Sequence, residues 1–218
     1  MKILVKFPSR GRPEKFKSTF KSYLDYASGK HDLRFVFTFD TDDEKMNNDE
    51  IKSFLQPYSD IIEINYGNSK NKIQAINANM DNKEFDVLIL ASDDLIPCAP
   101  SYDNTIASHM QEYFPDTDGS MHYINLMWYQ KLDIMCIMGY KYYKRFNYIY
   151  HPDYISFHCD NEFTDVKNLL GKNKYIEMQL FNHYFVQGDD TANRNHGFYH
   201  HDEPLYRSRA ARNFDLAI

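Results

Sequence analysis

Over its first 95 residues the chain alternates short apolar runs with segments of helical period, and this order constrains the fold more than any other feature. Ile3–Phe7 is an apolar run ending at Pro8 and predicts a strand. Pro13 then opens a helix whose apolar positions, Phe16, Phe20, Tyr23, Leu24 and Ala27, form one stripe that Gly29 stops. Arg34–Phe39 predicts the second strand, and Asn48 is placed to cap a short helix through Ile51, Phe54 and Leu55. Ile61–Ile64 predicts the third strand, followed by a helix from Ser69 carrying Ile73, Ile76 and Met80. Asp86–Leu90 is the fourth, and its unbroken apolar run predicts burial on both faces. Strands and helices in strict alternation imply an α/β fold with a mostly parallel sheet flanked by helices.

The second half is less regular. Tyr102–Tyr113 and Asn161–Leu170 predict helices, the latter closed by Gly171. Tyr123–Met127, Ile134–Met138 and Lys174–Phe181 predict strands, and His200–Phe214 a terminal helix. No repeat or linker divides the chain, so one domain over residues 1–218 is expected, residues 1–95 forming one half and 96–218 the other.

Composition removes several classes of function. Hydrophobic residues are 43% and charged residues 26% of the 218 positions, which excludes disorder and collagen-like repeats. A net charge of −6 argues against a nucleic-acid partner. No apolar run approaches the ~18 residues of a membrane span, and Met1–Phe7 is too short for a signal peptide. Three distant cysteines, Cys98, Cys136 and Cys159, then read as reduced thiols of a cytoplasmic protein.

In an open parallel sheet, ligands bind outside the carboxyl ends of the strands. Those ends carry Pro8-Ser9-Arg10-Gly11-Arg12-Pro13, then Asp40-Thr41-Asp42-Asp43, then Gly67-Asn68-Ser69-Lys70-Asn71-Lys72, then Ser92-Asp93-Asp94. Acids, bases and small polar residues converge where a phosphate, a divalent cation and a nucleoside would each find partners. Gly-x-Gly-x-x-Gly, the P-loop pattern, Cys-x-x-Cys, His-Glu-x-x-His and Gly-x-Ser-x-Gly are all absent. The sharpest signal is Asp93-Asp94 directly after the buried fourth strand, where carboxylates need a metal, sugar hydroxyls or solvent. Such oxygen ligands suit Mg²⁺ or Mn²⁺ bridging a diphosphate.

In this order, Val5–Arg10, Phe39–Asp43, Asn71–Asn77 and Leu88–Asp94 resemble the nucleotide-binding half of GT-A glycosyltransferases, especially family-2-like ones. The resemblance implies that Pro8 and Ser9 line the nucleotide site, that Asp40 reads the base, and that Lys72 and Asn77 approach the nucleotide or its diphosphate. It matches Ala91-Ser92-Asp93 to the family's Asp-x-Asp motif, which has lost its first Asp here, while Asp94 is extra. Ser92 and Asp93 then belong to the donor site, and Asp93, with Asp94 close behind, is the implied metal ligand. More loosely, His158–Thr164 resembles the segment that supplies the catalytic base. Glu162 is preferred over Asp160 for its longer side chain and closer positional match. Gln179–His183 resembles a strand ending in the His that completes the metal site, His183. The C-terminal Asp190, Asp202, Arg207, Arg209 and Phe214 resemble small viral and bacterial glycosyltransferase-like proteins, without assigned roles.

The resemblance implies a metal-dependent, inverting transferase that uses a nucleotide-diphosphate sugar, a UDP-sugar, with Mn²⁺ or Mg²⁺ and a glycan hydroxyl as acceptor. Arg10 and Arg12 would add cationic support to the diphosphate. Trp128 and Tyr129 would stack on a sugar or pack in the core. Lys141–Arg145 alternates basic and aromatic residues, and a solvated helix face is its simplest reading. A nucleotidyltransferase and a non-catalytic sugar-nucleotide or glycan-binding module are the alternatives. The first is disfavoured by the absence of a glycine-rich loop in Pro8–Pro13.

Overall fold

The computed structural model describes residues 1–125, 130–184 and 197–217. The predicted alternation is present: β1 (Lys2–Pro8), α1 (Pro13–Asp25), β2 (Asp32–Asp40), α2 (Asp49–Leu55), β3 (Ile62–Gly67), α3 (Lys72–Asn77) and β4 (Val87–Leu90). Asn48 caps α2 by accepting from the Ile51 N–H at 3.0 Å. The cap of α3 is Asn71, whose Oδ1 accepts from the Gln74 N–H at 2.8 Å, so that helix begins three residues later than the Ser69 start predicted.

The second half comprises β5 (Leu95–Pro97), α4 (Tyr102–Tyr113), β6 (Ser120–Tyr123), β7 (Ile137–Gly139), α5 (Tyr140–Phe146), α6 (Cys159–Leu169), β8 (Asn173–Ile176), β9 (Phe181–His183) and α7 (Tyr199–Ala210). Here the strand predictions need correction. β6 begins earlier than predicted and β7 later. The run Lys174–Phe181 is two strands in different sheets, because β8 joins the main sheet and β9 pairs with β5. The apolar period shows that a run is buried, but not where it changes sheet.

One sheet runs through both halves in the order β3-β2-β1-β4-β7-β6-β8. β1 lies parallel to β2 and β4, with Val5 opposite Phe35 on one side and Ile89 on the other. β7 is antiparallel to both neighbours, and β6 and β8 are parallel. Alternate residues of β1 feed two cores. Ile3, Val5 and Phe7 pack with Phe16 and Phe20 of α1, and Leu4 packs with Ile73 and Ile76 of α3 and Phe163 of α6. All four residues of β4 are buried, as its apolar run predicted.

Lys6 interrupts the β1 run yet is fully buried, its Nζ donating to Thr38 Oγ1 and to the Ala78 carbonyl, the latter at 2.7 Å. Burial lowers its pKa from 10.5 to about 7, a drop that Glu63 opposes and Lys83 reinforces. Between those two pH values the unfolded chain holds a proton that the folded chain does not. Folding stability therefore rises with pH through that window, by at most about 1.4 kcal/mol per pH unit. Chemical denaturation should show the wild type gaining this stability between pH 7 and 9. The Lys6→Met protein should lack the gain, and parallel pH profiles for the two would contradict the assignment.

Candidate functional site

Strand order reverses about β1 and β4, which opens a crevice at their carboxyl ends. After β1, the Ser9 N–H donates to the Thr38 carbonyl at 3.1 Å, carrying the chain alongside β2. Arg10 Nη1 then donates to Asp40 Oδ2 and to Asp42 Oδ1, both at 2.7 Å, while Nη2 donates to Asp42 Oδ2 at 3.0 Å. Those hydrogen bonds hold the guanidinium charged, well above its ordinary pKa. Gly11 follows at φ 72°, a conformation glycine adopts without steric cost, and its N–H donates to Asp43 Oδ2 at 2.6 Å. Asp40 is buried at the end of β2, and its other oxygen accepts the Ser69 N–H at 2.9 Å. Thus the loops after β1, β2 and β3 are tied through the Asp40 carboxylate.

At the end of β4 the two aspartates have opposite environments. Asp93 is buried and accepts from Ser9 Oγ at 2.9 Å. Burial pushes its pKa up to about 7; the Ser9 hydrogen bond and the Arg12 charge pull it back, and Asp94 adds to the rise. Burial also acts to raise Asp94. The interactions with His183 and Ser92, together with the Lys72 charge, outweigh it and hold this carboxyl down at about 2. Ser92 Oγ donates to Asp94 Oδ1 at 2.5 Å, and His183 Nε2 lies 3.7 Å from Asp94 Oδ2. The β5–β9 ladder makes this meeting possible: Leu95 pairs with His183, and the Tyr184 N–H donates to the Asp94 carbonyl at 2.8 Å. His183 lies 89 positions from Asp94 in sequence, and only the small sheet joins them.

Lys72 stands at the first position of α3, and its charge lowers the pKa of both Asp94 and Asp160. Asp160, in the first turn of α6, has its pKa raised by burial against that Lys72 charge. Its Oδ1 accepts the Asn161 N–H at 3.0 Å. Glu162, two residues on, is differently engaged. Arg209 Nε and Nη2 donate to its two oxygens at 2.7 and 2.9 Å, and the Tyr154 hydroxyl donates to Oε2 at 2.8 Å. A buried carboxylate neutralised by a bidentate guanidinium is a poor proton acceptor. Through this pairing Glu162, the residue preferred from sequence as base, ties α6 to α7. Asn77 is engaged with the chain after α5. Its Oδ1 accepts the Ile149 and Tyr150 N–H groups at 2.8 and 3.2 Å, and one N–H of its Nδ2 donates to the Tyr150 carbonyl at 2.7 Å, tying the end of α3 to residues 149–150.

Two supporting residues had no role assigned from sequence. Asp202 of α7 is fully buried and accepts the N–H groups of Ile155, Ser156 and Phe157 at 3.0, 2.8 and 2.7 Å, fixing the chain that leads into Asp160. Arg209 anchors the next turn through Glu162. Their partners are 45 to 47 positions away, beyond any local pattern. Lys141–Arg145 lies in α5, with Tyr142 and Tyr143 buried, Lys141 on Asp116 and Arg145 on Asp118. Trp128, Tyr129 and Asp190 lie outside the described residues.

Among the described residues, no three His, Cys, Asp or Glu side chains cluster as a metal cage. The donor chemistry nevertheless fits a divalent ion that shares its coordination with substrate phosphates and water. Asp94 is kept ionised and faces an imidazole nitrogen. Asp93 is buried and turned to Ser9, whose Oγ donates to it.

No protein-family model matches the sequence, and no curated protein is similar to it in sequence. Solved structures do match. The mannosyltransferase PcManGT from Pyrobaculum calidifontis, in complex with GDP-Man and Mn²⁺, superposes with a TM-score of 0.64 at 10% identity over 85% of this chain and 57% of that one. S. aureus TarS 1-349 in complex with UDP-GlcNAc gives 0.66 at 13% identity over 88% and 61%. GalNAc-T7 with UDP, GalNAc and Mn²⁺ gives 0.70 at 9% identity over 97% and 55%. The chain thus spans little more than half the length of these structures. At such identities the likeness shows the fold. Among the described residues no helix is long and apolar enough to cross a membrane.

Proposed function

The chain has the GT-A fold of these glycosyltransferases, and we propose that it is itself one, moving a sugar from a nucleotide-diphosphate donor, a UDP-sugar, to an acceptor hydroxyl on a glycan. The observation that carries this reading is the Asp94–His183 pair beside Ser9–Asp93, set in the crevice where strand order reverses. The donor belongs to the strand-end loops of residues 1–95, and the acceptor to the side formed by residues 96–218.

Each residue then has a task. Ser9 and Asp93 bind donor hydroxyls, and the cations Arg12 and Lys72 stand near the diphosphate. Asp94 and His183 would hold Mn²⁺ or Mg²⁺, which would supply positive charge to the departing diphosphate. Asp160 takes the proton of the acceptor hydroxyl. The acceptor oxygen bonds to the anomeric carbon as the bond from that carbon to the diphosphate oxygen breaks, and the nucleoside diphosphate leaves with the electron pair. A base opposite the leaving group gives inversion. Asp160 suits the role because burial raises its pKa and, among the described residues, no cationic side chain pairs with it directly.

A thermal-shift titration tests the donor site. UDP or GDP with Mn²⁺ should stabilise the fold by about 2.7 kcal/mol at a hundredfold excess over the dissociation constant. If the melting temperature does not move for either nucleotide or its sugars, the reading fails.

A further inference from the structure

Asp133 and Lys167 form a buried ion pair to which no step of the proposed transfer gives a task. Asp133 is 1% exposed and Lys167 fully buried, and Lys167 Nζ donates to Asp133 Oδ2. The ammonium also lies over the Phe163 ring, 4.6 Å from its centroid. Taking two charges out of water costs about as much as their attraction returns, so such a pair is poor evidence of a stabilising role. Its place in the fold is more telling. Lys167 stands further along α6 from Asp160, and Asp133 lies in the segment that leads into β7.

That segment touches both sides of the proposed site. The Asp133 N–H donates to Thr164 Oγ1 at 3.0 Å, and the same hydroxyl donates to the Asp160 carbonyl at 2.7 Å. At the other end, the Cys136 carbonyl accepts the Leu90 N–H at 2.9 Å, where β4 leads into Asp93 and Asp94. Between these ends the Met135 N–H donates to Asp133 Oδ1 at 3.2 Å, so the paired carboxylate also shapes the segment. Residues 133–136 therefore bridge the acids after β4 and the first turn of α6. Asp133 also lines, with Leu95, Asn125 and His183, a cavity beside the Asp94–His183 pair.

We propose that Asp133 and Lys167 are positioning residues, a buried electrostatic pin that sets the reach of Asp160 to the donor by locking α6 against the segment joined to the end of β4. Apolar packing is non-directional and lets two elements slide, whereas a hydrogen-bonded ion pair fixes one register. The inference rests on the glycosyltransferase reading with Asp160 as base. It adds two residues, 34 positions apart, that act on the reaction only through others.

The test is the double variant Asp133→Leu with Lys167→Met, which replaces both charges by apolar side chains and leaves the Asp133 N–H in place. Three quantities are compared with wild type: melting temperature, affinity for UDP and GDP with Mn²⁺, and release of UDP and GDP from their sugars with Mn²⁺ and a panel of malto-, cello- and chito-oligosaccharides. Melting temperature and nucleotide affinity should stay near wild type. The kcat should fall about 10²-fold with little change in donor KM, as expected when a reacting group is displaced by about 1 Å. Thr164→Val breaks the hydroxyl link but keeps both charges; it should lower kcat in the same sense, and Thr164→Ser should restore it. These two carry the test should the double variant not fold. A folded double variant at wild-type kcat overturns the proposal, as does unaltered kcat in Thr164→Val. A rate that falls only in proportion to unfolded protein assigns the pair to stability alone and overturns it too. If Asp160→Asn keeps the wild-type rate, or the wild type neither binds nor releases a nucleotide, the underlying reading falls, and this inference with it.

Discussion

Asp160→Asn is expected to lower sugar transfer by roughly 10²–10⁴-fold, the usual cost of losing a general base, while donor affinity stays nearly unchanged. The acceptor hydroxyl is a poor nucleophile until a carboxylate takes its proton, and Asp160 is the acid of its segment proposed for that role. Its carboxylate accepts from the Asn161 N–H, and burial raises its pKa against the Lys72 charge. Glu162→Gln should behave in the opposite way. It leaves Arg209 buried against a neutral amide, and breaking a buried pair costs about 3–5 kcal/mol of stability. Its turnover per folded molecule should stay close to wild type. Denaturation midpoints and rates measured on the same preparations separate the two effects. If Glu162→Gln is stable but inactive and Asp160→Asn active, the roles assigned to these residues are reversed.

The second large effect is expected at Asp94. Asp94→Ala should abolish Mn²⁺-dependent binding of nucleoside diphosphates, and with it transfer, because it removes the ionised member of the pair facing His183. Losing the ion that neutralises the leaving group should cost several kcal/mol in the barrier. Asp93→Asn is expected to retain metal affinity and to weaken nucleotide binding instead, since Asp93 points at Ser9. Calorimetric titration of Mn²⁺ with UDP into each variant distinguishes them. Metal affinity lost in Asp93→Asn and kept in Asp94→Ala would reverse the assignment.

The contrast between Asp93 and Asp94 shows where sequence reasoning reached its limit. That two carboxylates end a buried strand is plain from Val87–Asp94, because an apolar run followed by acids has few solutions. Which of them stays ionised depends on Ser9, His183 and Lys72, supplied by three other elements. The first four strands and α1 were legible for the same reason: each writes its buried face into its own period. Lys6 was not, since its partners Thr38 and Ala78 come from β2 and the end of α3. The split of residues 174–181 between two sheets and the commitment of Glu162 to Arg209 are likewise long-range facts. Local pattern carries burial and helix caps; pairing between distant carboxylates and cations emerges only when the chain is folded.

The most direct measurement is to incubate the protein with UDP- and GDP-sugars and Mn²⁺, with and without glycan acceptors, and to identify the nucleotide released. The account predicts free UDP or GDP from the wild type, slow without acceptor and faster with it, and none from Asp94→Ala. Release of nucleoside monophosphate or of pyrophosphate, or undiminished release by Asp94→Ala, would contradict it.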